Sequence, residues 1–348
     1  MLLHTKVKLE RLSDKTKYDF FEASLRGGIC QASLRHSVAN NPYQGEGNWD
    51  PLQAIKYLVQ YDANNLYALS LRDYLPLREF RWISHHESRK QVCNDEFVAS
   101  LDPEGAYGYA YEVDVRIPRE LHDELCDLPP LPQKIAISSE MLSDFQRECF
   151  PESELRTSTR LTCNLYDKER YIMHSRTLKM CLDLGLEIVE YHRVLRFVQA
   201  PYMREYVDFN TSKRMEASNE NPPNKFKISL YKALNNFLFG KSITNQRKFK
   251  DLRLVTTRAQ ALRLVSSPLF KNLTVVNSSS ILVEMTHPVV KLDRAVYIGF
   301  SVLELSRLWM FRFWYGHIKK RYPGEKSRLI YMYVFITILI DKNRMSFL

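Results

Sequence analysis

Apolar residues gather first in Tyr57-Leu-Val-Gln-Tyr61, a strand-like run that stops at one acid, Asp62, and passes through Ala63-Asn-Asn65 into the helical pattern Leu66-Tyr-Ala-Leu-Ser70. A carboxylate at a strand end, five residues before an aromatic, can hold a metal ion and set a ring under a bound sugar. Taken singly, such a pattern more often marks a solvated turn or a helix cap. From Tyr107 to Ile117 apolar and polar positions alternate, which predicts a strand with one covered face, placed beside the Asp62 strand. After the stiff Asp127-Leu-Pro-Pro-Leu-Pro132, the pattern predicts a helix over 139–149, a short strand over 161–165, a helix over 174–184 and a strand over 187–198.

A basic, helical section covers 200–242 and breaks at Asn221-Pro-Pro-Asn224, where proline cannot continue helical hydrogen bonding, so two helices should form a hairpin. A second hairpin, of strands, is predicted over 273–285, and a long helix over 299–315 with Val302, Leu305, Trp309 and Phe313 as one apolar seam beneath a sheet. The last apolar run, Leu329 to Ile340, is too short for a membrane span, which needs about twenty residues.

The 348 residues, 45% hydrophobic and 26% charged, describe a folded protein of two to three subdomains. Fifty Lys and Arg against 40 Asp and Glu leave a net charge of +10, which favours a polyanionic partner. The six cysteines stand singly, without zinc-ligand spacing or a preceding secretory signal, and are expected to be reduced thiols of an intracellular chain. His85-His86 and Cys93 lack a completing ligand cluster and should face solvent. In Leu25-Arg-Gly-Gly28, two glycines let backbone amides approach an anion that the Arg26 guanidinium would neutralise; a plain turn explains the same residues equally well. On the second basic helix, Lys232, Asn236, Phe239 and Gly240 fall on one face at about 3.6 residues per turn, a cation, an amide, a ring and a gap.

In combination, Asp62-Ala-Asn-Asn-Leu-Tyr67 and Lys232-Ala-Leu-Asn-Asn-Phe-Leu-Phe-Gly240 resemble the first catalytic motif and the fingers motif of family B DNA polymerases, specifically the protein-primed viral, organellar and Maverick/Polinton branch. Leu25-Arg-Gly-Gly28 resembles that branch's Tyr-x-Gly-Gly signature with Leu for Tyr, and similar text covers about residues 5 to 331. The resemblance implies an α+β fold: a palm of antiparallel sheet backed by helices, with a helical-hairpin fingers subdomain. Its divisions would be a connecting segment at 1–50, palm with an insertion at 51–200, fingers at 201–250 and continuing palm at 251–348, with the exonuclease and thumb domains absent.

The resemblance also implies DNA-directed DNA synthesis with two magnesium ions, on a DNA template and primer with deoxynucleoside triphosphates, in the absence of any membrane and with a terminal priming protein as a further partner. Asp62 and the Ala63 carbonyl would bind metal, with Asp62 catalytic. Tyr67 would exclude a ribose 2′ hydroxyl, Lys232 and Arg214 (or Lys213) would hold the triphosphate, Asn236 would position the nucleotide, and Phe239 with Gly240 would accept the base pair. Arg26, Gly27 and Gly28 would contact DNA. Phe237, where the family usually has Ser, should crowd the nucleotide pocket.

One departure bears on the chemistry. The family's third motif, Tyr-x-Asp-Thr-Asp-Ser, should begin at Tyr331, yet the chain reads Tyr331-Met-Tyr-Val-Phe-Ile336 and offers no acid before Asp341. Two readings follow: a DNA polymerase that lacks its second carboxylate set, or a non-catalytic nucleic-acid-binding remnant of a decayed transposon or virus. A nuclear, mitochondrial and viral compartment are all compatible with the sequence.

Overall fold

The computed structural model describes residues 2–149, 159–332 and 335–341. In chain order, helix α1 (Lys15–Ala23) precedes the two-residue strand β1 (Gln31–Ala32), and β2 (Lys56–Asp62) leads to the short helix α2 (Leu66–Leu71). Strands β3 (Leu75–Trp82), β4 (Tyr107–Arg116), β5 (Gln133–Ala136), β6 (Thr159–Thr162) and β7 (Lys168–His174) follow, then helix α3 (Ser175–Asp183) and the long β8 (Glu187–Ala200). Helices α4 (Arg204–Asn219) and α5 (Lys225–Ser242) form the expected hairpin. Strand β9 (Asp251–Val255), helix α6 (Arg258–Val265) and strands β10 (Phe270–Asn277) and β11 (Ser280–Met285) come next. Helix α7 (Val296–Phe313) and the strands β12 (Ser327–Met332) and β13 (Phe335–Asp341) complete the described chain.

The chain divides into two compact units, 1–242 with 295–348, and 243–294. The first holds two four-stranded antiparallel sheets, ordered β1-β12-β13-β2 and β3-β8-β4-β7, and the small pair β5-β6. Helix α7 is mostly apolar and is buried from Val296 through Leu308, with its Glu304 and Arg307 paired to each other. Around Phe21, the rings of Phe80, Tyr297 and Phe300 pack edge-on or tilted at centroid separations of 5.2–6.2 Å. Unit two is a three-stranded sheet, β10-β11-β9, and its own core joins Val255, Leu264, Val283 and Met285.

Several expectations change. The alternating strand β4 pairs with β7 and β8, whereas the neighbour of the Asp62 strand is β13. β4 is also buried on both faces from Gly108 through Val113 instead of on one, and periodicity carries no information about which strand lies next to it. The seam of α7 holds at Val302 and Leu305, but Trp309 is 40% exposed while its neighbours Met310 and Phe311 are buried, so the covered face near the helix end is not the predicted one. Residues 139–149 form a 3-10 turn and a short helix (Asp144–Cys149) instead of one continuous helix. The strand expected at 161–165 runs over Thr159–Thr162.

Candidate functional site

The organising carboxylate stands where expected, at the last residue of β2. Immediately after it, Asn65 adopts a left-handed conformation (φ 54°), which asparagine tolerates better than most residues, and its side chain accepts the Ala68 amide to cap α2. The Asp-Ala-Asn-Asn text therefore ends the strand and starts the helix within three residues. This turn puts Asp62, Ala63 and Tyr67 on one cavity of about 690 Å³.

The opposite wall comes from the helical hairpin: Thr211, Arg214, Met215 and Ser218 from α4, with Lys232 and Asn236 from α5. Asn210 donates to Asn235 Oδ1 at 2.8 Å, both side chains buried, and this pairing fixes the rotation of one helix against the other. Asn235 thus faces α4, and one residue further round the helix Asn236 faces the cavity, its Oδ1 buried without a hydrogen-bond partner. Lys213 is spent on Glu216 at 2.8 Å, so of the two candidate cations on α4 it is Arg214 that reaches the cavity.

Two expected members of the stripe behave differently. Phe239 stacks on Tyr67, with ring centroids 4.3 Å apart and planes at 22°, so each ring already uses one face on the other. Gly240 lies off the cavity lining, with open space where a Cβ would stand. Phe237 does not crowd the cavity; it is 67% exposed and absent from the lining, because it falls well round the helix from Lys232 and Asn236.

At the Arg-Gly-Gly turn the guanidinium goes inward. Arg26 donates to the Ile172 carbonyl at 2.8 Å and lies 3.6 Å from the Tyr171 ring centroid, and burial lowers its pKa from the ordinary arginine value. Gly27 and Gly28 remain exposed, and Gly28 lines the cavity 3.5 Å (from its would-be Cβ) below the Tyr67 hydroxyl. The surface that DNA was expected to meet here is backbone, and the Arg26 cation is used by the fold.

Arg307 of α7 escaped the sequence reading. Its Nη2 pairs with Glu304, whose other oxygen accepts the His174 amide at 3.1 Å, while Nη1 is buried with no partner and the residue lines the cavity. The signal was present: Glu and Arg three apart in an otherwise apolar helix are seldom both buried unless paired or employed.

As to metal, Asp62 is the one acid among the described residues lining the cavity, against the three cations Arg214, Lys232 and Arg307. The register sets Phe335 directly across from Asp62 on the neighbouring strand, at the fifth position of the expected Tyr-x-Asp-Thr-Asp motif. Tyr333 and Val334, where that motif would place its first acid, lie outside the described residues, but neither is a carboxylate. Asp341 pairs with Lys56, six strand residues away from Asp62 or about 20 Å, out of reach of any shared ion. Asp62 and the Ala63 carbonyl could be part of a metal's ligand shell, but the donor set does not fit a pair of ions held by shared carboxylates.

A separate group on the other sheet, Asp114, Glu190 and His192, has ligand atoms within 4.8 Å of one another. Asp114 lies 2.8 Å from His192 Nε2 and Glu190 lies 3.5 Å from Nδ1.

The profile of DNA polymerase type B, organellar and viral, matches residues 5–314. The chain belongs to that family. Phi29 DNA polymerase, solved in complex with primer-template DNA as a post-translocation binary complex, is similar in fold, with a TM-score of 0.51 at 12% identity. The match covers 98% of this chain and 45% of that one, so this type B polymerase chain spans less than half the length of the phi29 enzyme. No curated protein sequence matches it. No described helix of the polymerase chain is long and apolar enough to cross a membrane.

Proposed function

We propose that this chain is the palm-and-fingers part of a protein-primed DNA polymerase, that its cavity binds primer-template DNA and a deoxynucleoside triphosphate, and that nucleotidyl transfer is crippled. The supporting observation is the convergence of Asp62, Tyr67, Arg214, Lys232 and Asn236, drawn from four separate elements, on one cavity. Lys232 and Arg214 would hold the triphosphate, Asn236 would orient the nucleotide, and Tyr67 against Gly28 would close the floor beneath the sugar. The helical hairpin would be the fingers and the sheet containing β2 and β13 part of the palm.

The remnant reading gains over the active enzyme from one observation, Phe335 opposite Asp62. Two metal ions acting on a transferring phosphoryl group supply several kcal/mol of charge stabilisation, and each 1.4 kcal/mol is about tenfold in rate. Losing that set should cost roughly 10³-fold or more. Decay of a mobile or viral element would account for an intact substrate wall beside an apolar motif strand.

Primer extension with magnesium tests this reading. The native chain should retain salt-sensitive primer-template binding with negligible incorporation, and the double variant Tyr333→Asp, Phe335→Asp should gain incorporation that Asp62→Asn then abolishes. Robust extension by the native chain would refute the loss of activity. Absence of DNA and nucleotide binding alike would refute the polymerase cleft.

A further inference from the structure

The mismatch between the cavity and a metal pair points to what the cavity does instead. Among the described residues Arg214, Lys232 and the Glu304-paired Arg307 line it with a single acid, Asp62. Among the described residues neither Arg214 nor Lys232 has an ion-pair partner. Arg307 lines the cavity with a side chain only 7% exposed, and Glu304 engages only one of its terminal nitrogens, leaving Nη1 buried without a hydrogen-bond partner. A buried guanidinium donor without an acceptor costs free energy on the order of 1–3 kcal/mol, which an anionic oxygen brought within its reach would recover. The Asn236 amide stands on the same lining, and its own carbonyl oxygen also lacks a donor.

We infer that this cavity binds a nucleoside triphosphate without a divalent metal, the three cations taking the place that metal ions hold in a two-ion polymerase site. The inference rests on the nucleotide-binding reading above and reverses its metal dependence. A free triphosphate carries its full negative charge to Arg214, Lys232 and Arg307, whereas the magnesium complex has part of that charge neutralised before it arrives. Asp62, with no cation assembled around it, repels the phosphates.

Calorimetric titration of the full chain with dATP, in EDTA and then in excess magnesium, decides the matter. The expected result is binding in EDTA that magnesium leaves unchanged or weakens. Asp62→Asn should tighten the metal-free affinity roughly threefold by removing a like charge. Lys232→Gln, on an exposed helix face where folding is not at stake, should weaken it about tenfold, and Arg307→Gln by a similar factor. Arg307→Lys keeps a cation beside Glu304 and should recover part of the loss. Inorganic tripolyphosphate should compete with dATP, while deoxyadenosine should not, if the anion is what the site recognises.

Binding that appears only with magnesium, or that Asp62→Asn weakens, would overturn the inference while leaving the nucleotide site in place. A correctly folded chain that binds dATP under neither condition would overturn both. Competition by deoxyadenosine as effective as that by tripolyphosphate would also refute it.

Discussion

His174 lies at 1% exposure, where its Nδ1 accepts the Arg176 amide at 3.2 Å and starts helix α3. Burial, with Arg176 nearby as a smaller influence, pushes its pKa down to about 3, so the folded chain keeps the ring neutral where an unfolded chain would protonate it. Between the unfolded value near 6.5 and about 3 the unfolded state binds the extra proton, so stability falls as pH falls through that window. The expected slope from this residue is about 1.4 kcal/mol per pH unit. Urea denaturation at a series of pH values should show that component disappear in His174→Asn, which keeps a capping acceptor but cannot titrate; an unaltered slope would mean the ring is not held neutral. Arg26 teaches a related lesson. Its neighbours Gly27 and Gly28 read as an anion-binding turn, yet the fold draws the guanidinium onto Tyr171, a use that no local pattern announces.

Between the helices of the hairpin lies a buried polar side-chain pair. Because Asn210 and Asn235 satisfy each other in a buried setting, Asn235→Ala should leave the Asn210 amide unpaired and cost about 1–3 kcal/mol, seen as a lower thermal midpoint. Replacing both by Leu removes the need along with the bond and should recover most of that stability. The same rotation carries Lys232 and Asn236 into the cavity, so Asn235→Ala should also weaken nucleotide binding, whereas the Leu pair tests whether rotation or stability is responsible. Strand β13 is the second element of consequence. It brings Phe335 to Asp62 while leaving the acid at its far end, Asp341, beside Lys56.

At the scale of the molecule, the segment 243–294 carries a separate core, in which Val283 is fully buried against Val255, Leu264 and Met285. Compact units of this kind open independently. Val283→Ala should therefore reduce hydrogen-exchange protection in β9, β10 and β11 by an amount corresponding to roughly 1–3 kcal/mol, with β2 and β13 unaffected. Loss of protection across both units together would show them to be one cooperative body.

Read alone, the sequence determined which residues could carry chemistry and most of the regular elements. Asp62 with Tyr67, and Lys232 with Asn236, are local patterns set by strand and helix periods, and the hairpin of helices follows from Asn221-Pro-Pro-Asn224. Tertiary structure alone decided strand order, the inward turn of Arg26, the outward direction of Phe237 and the recruitment of Arg307. Periodicity is a property of neighbours along the chain, but charge balance in a cavity is a sum over elements distant in sequence. That sum, three cations and one acid among the described lining residues with Glu304 behind Arg307, became visible only when the hairpin, α7 and the Asp62 strand met around the same space.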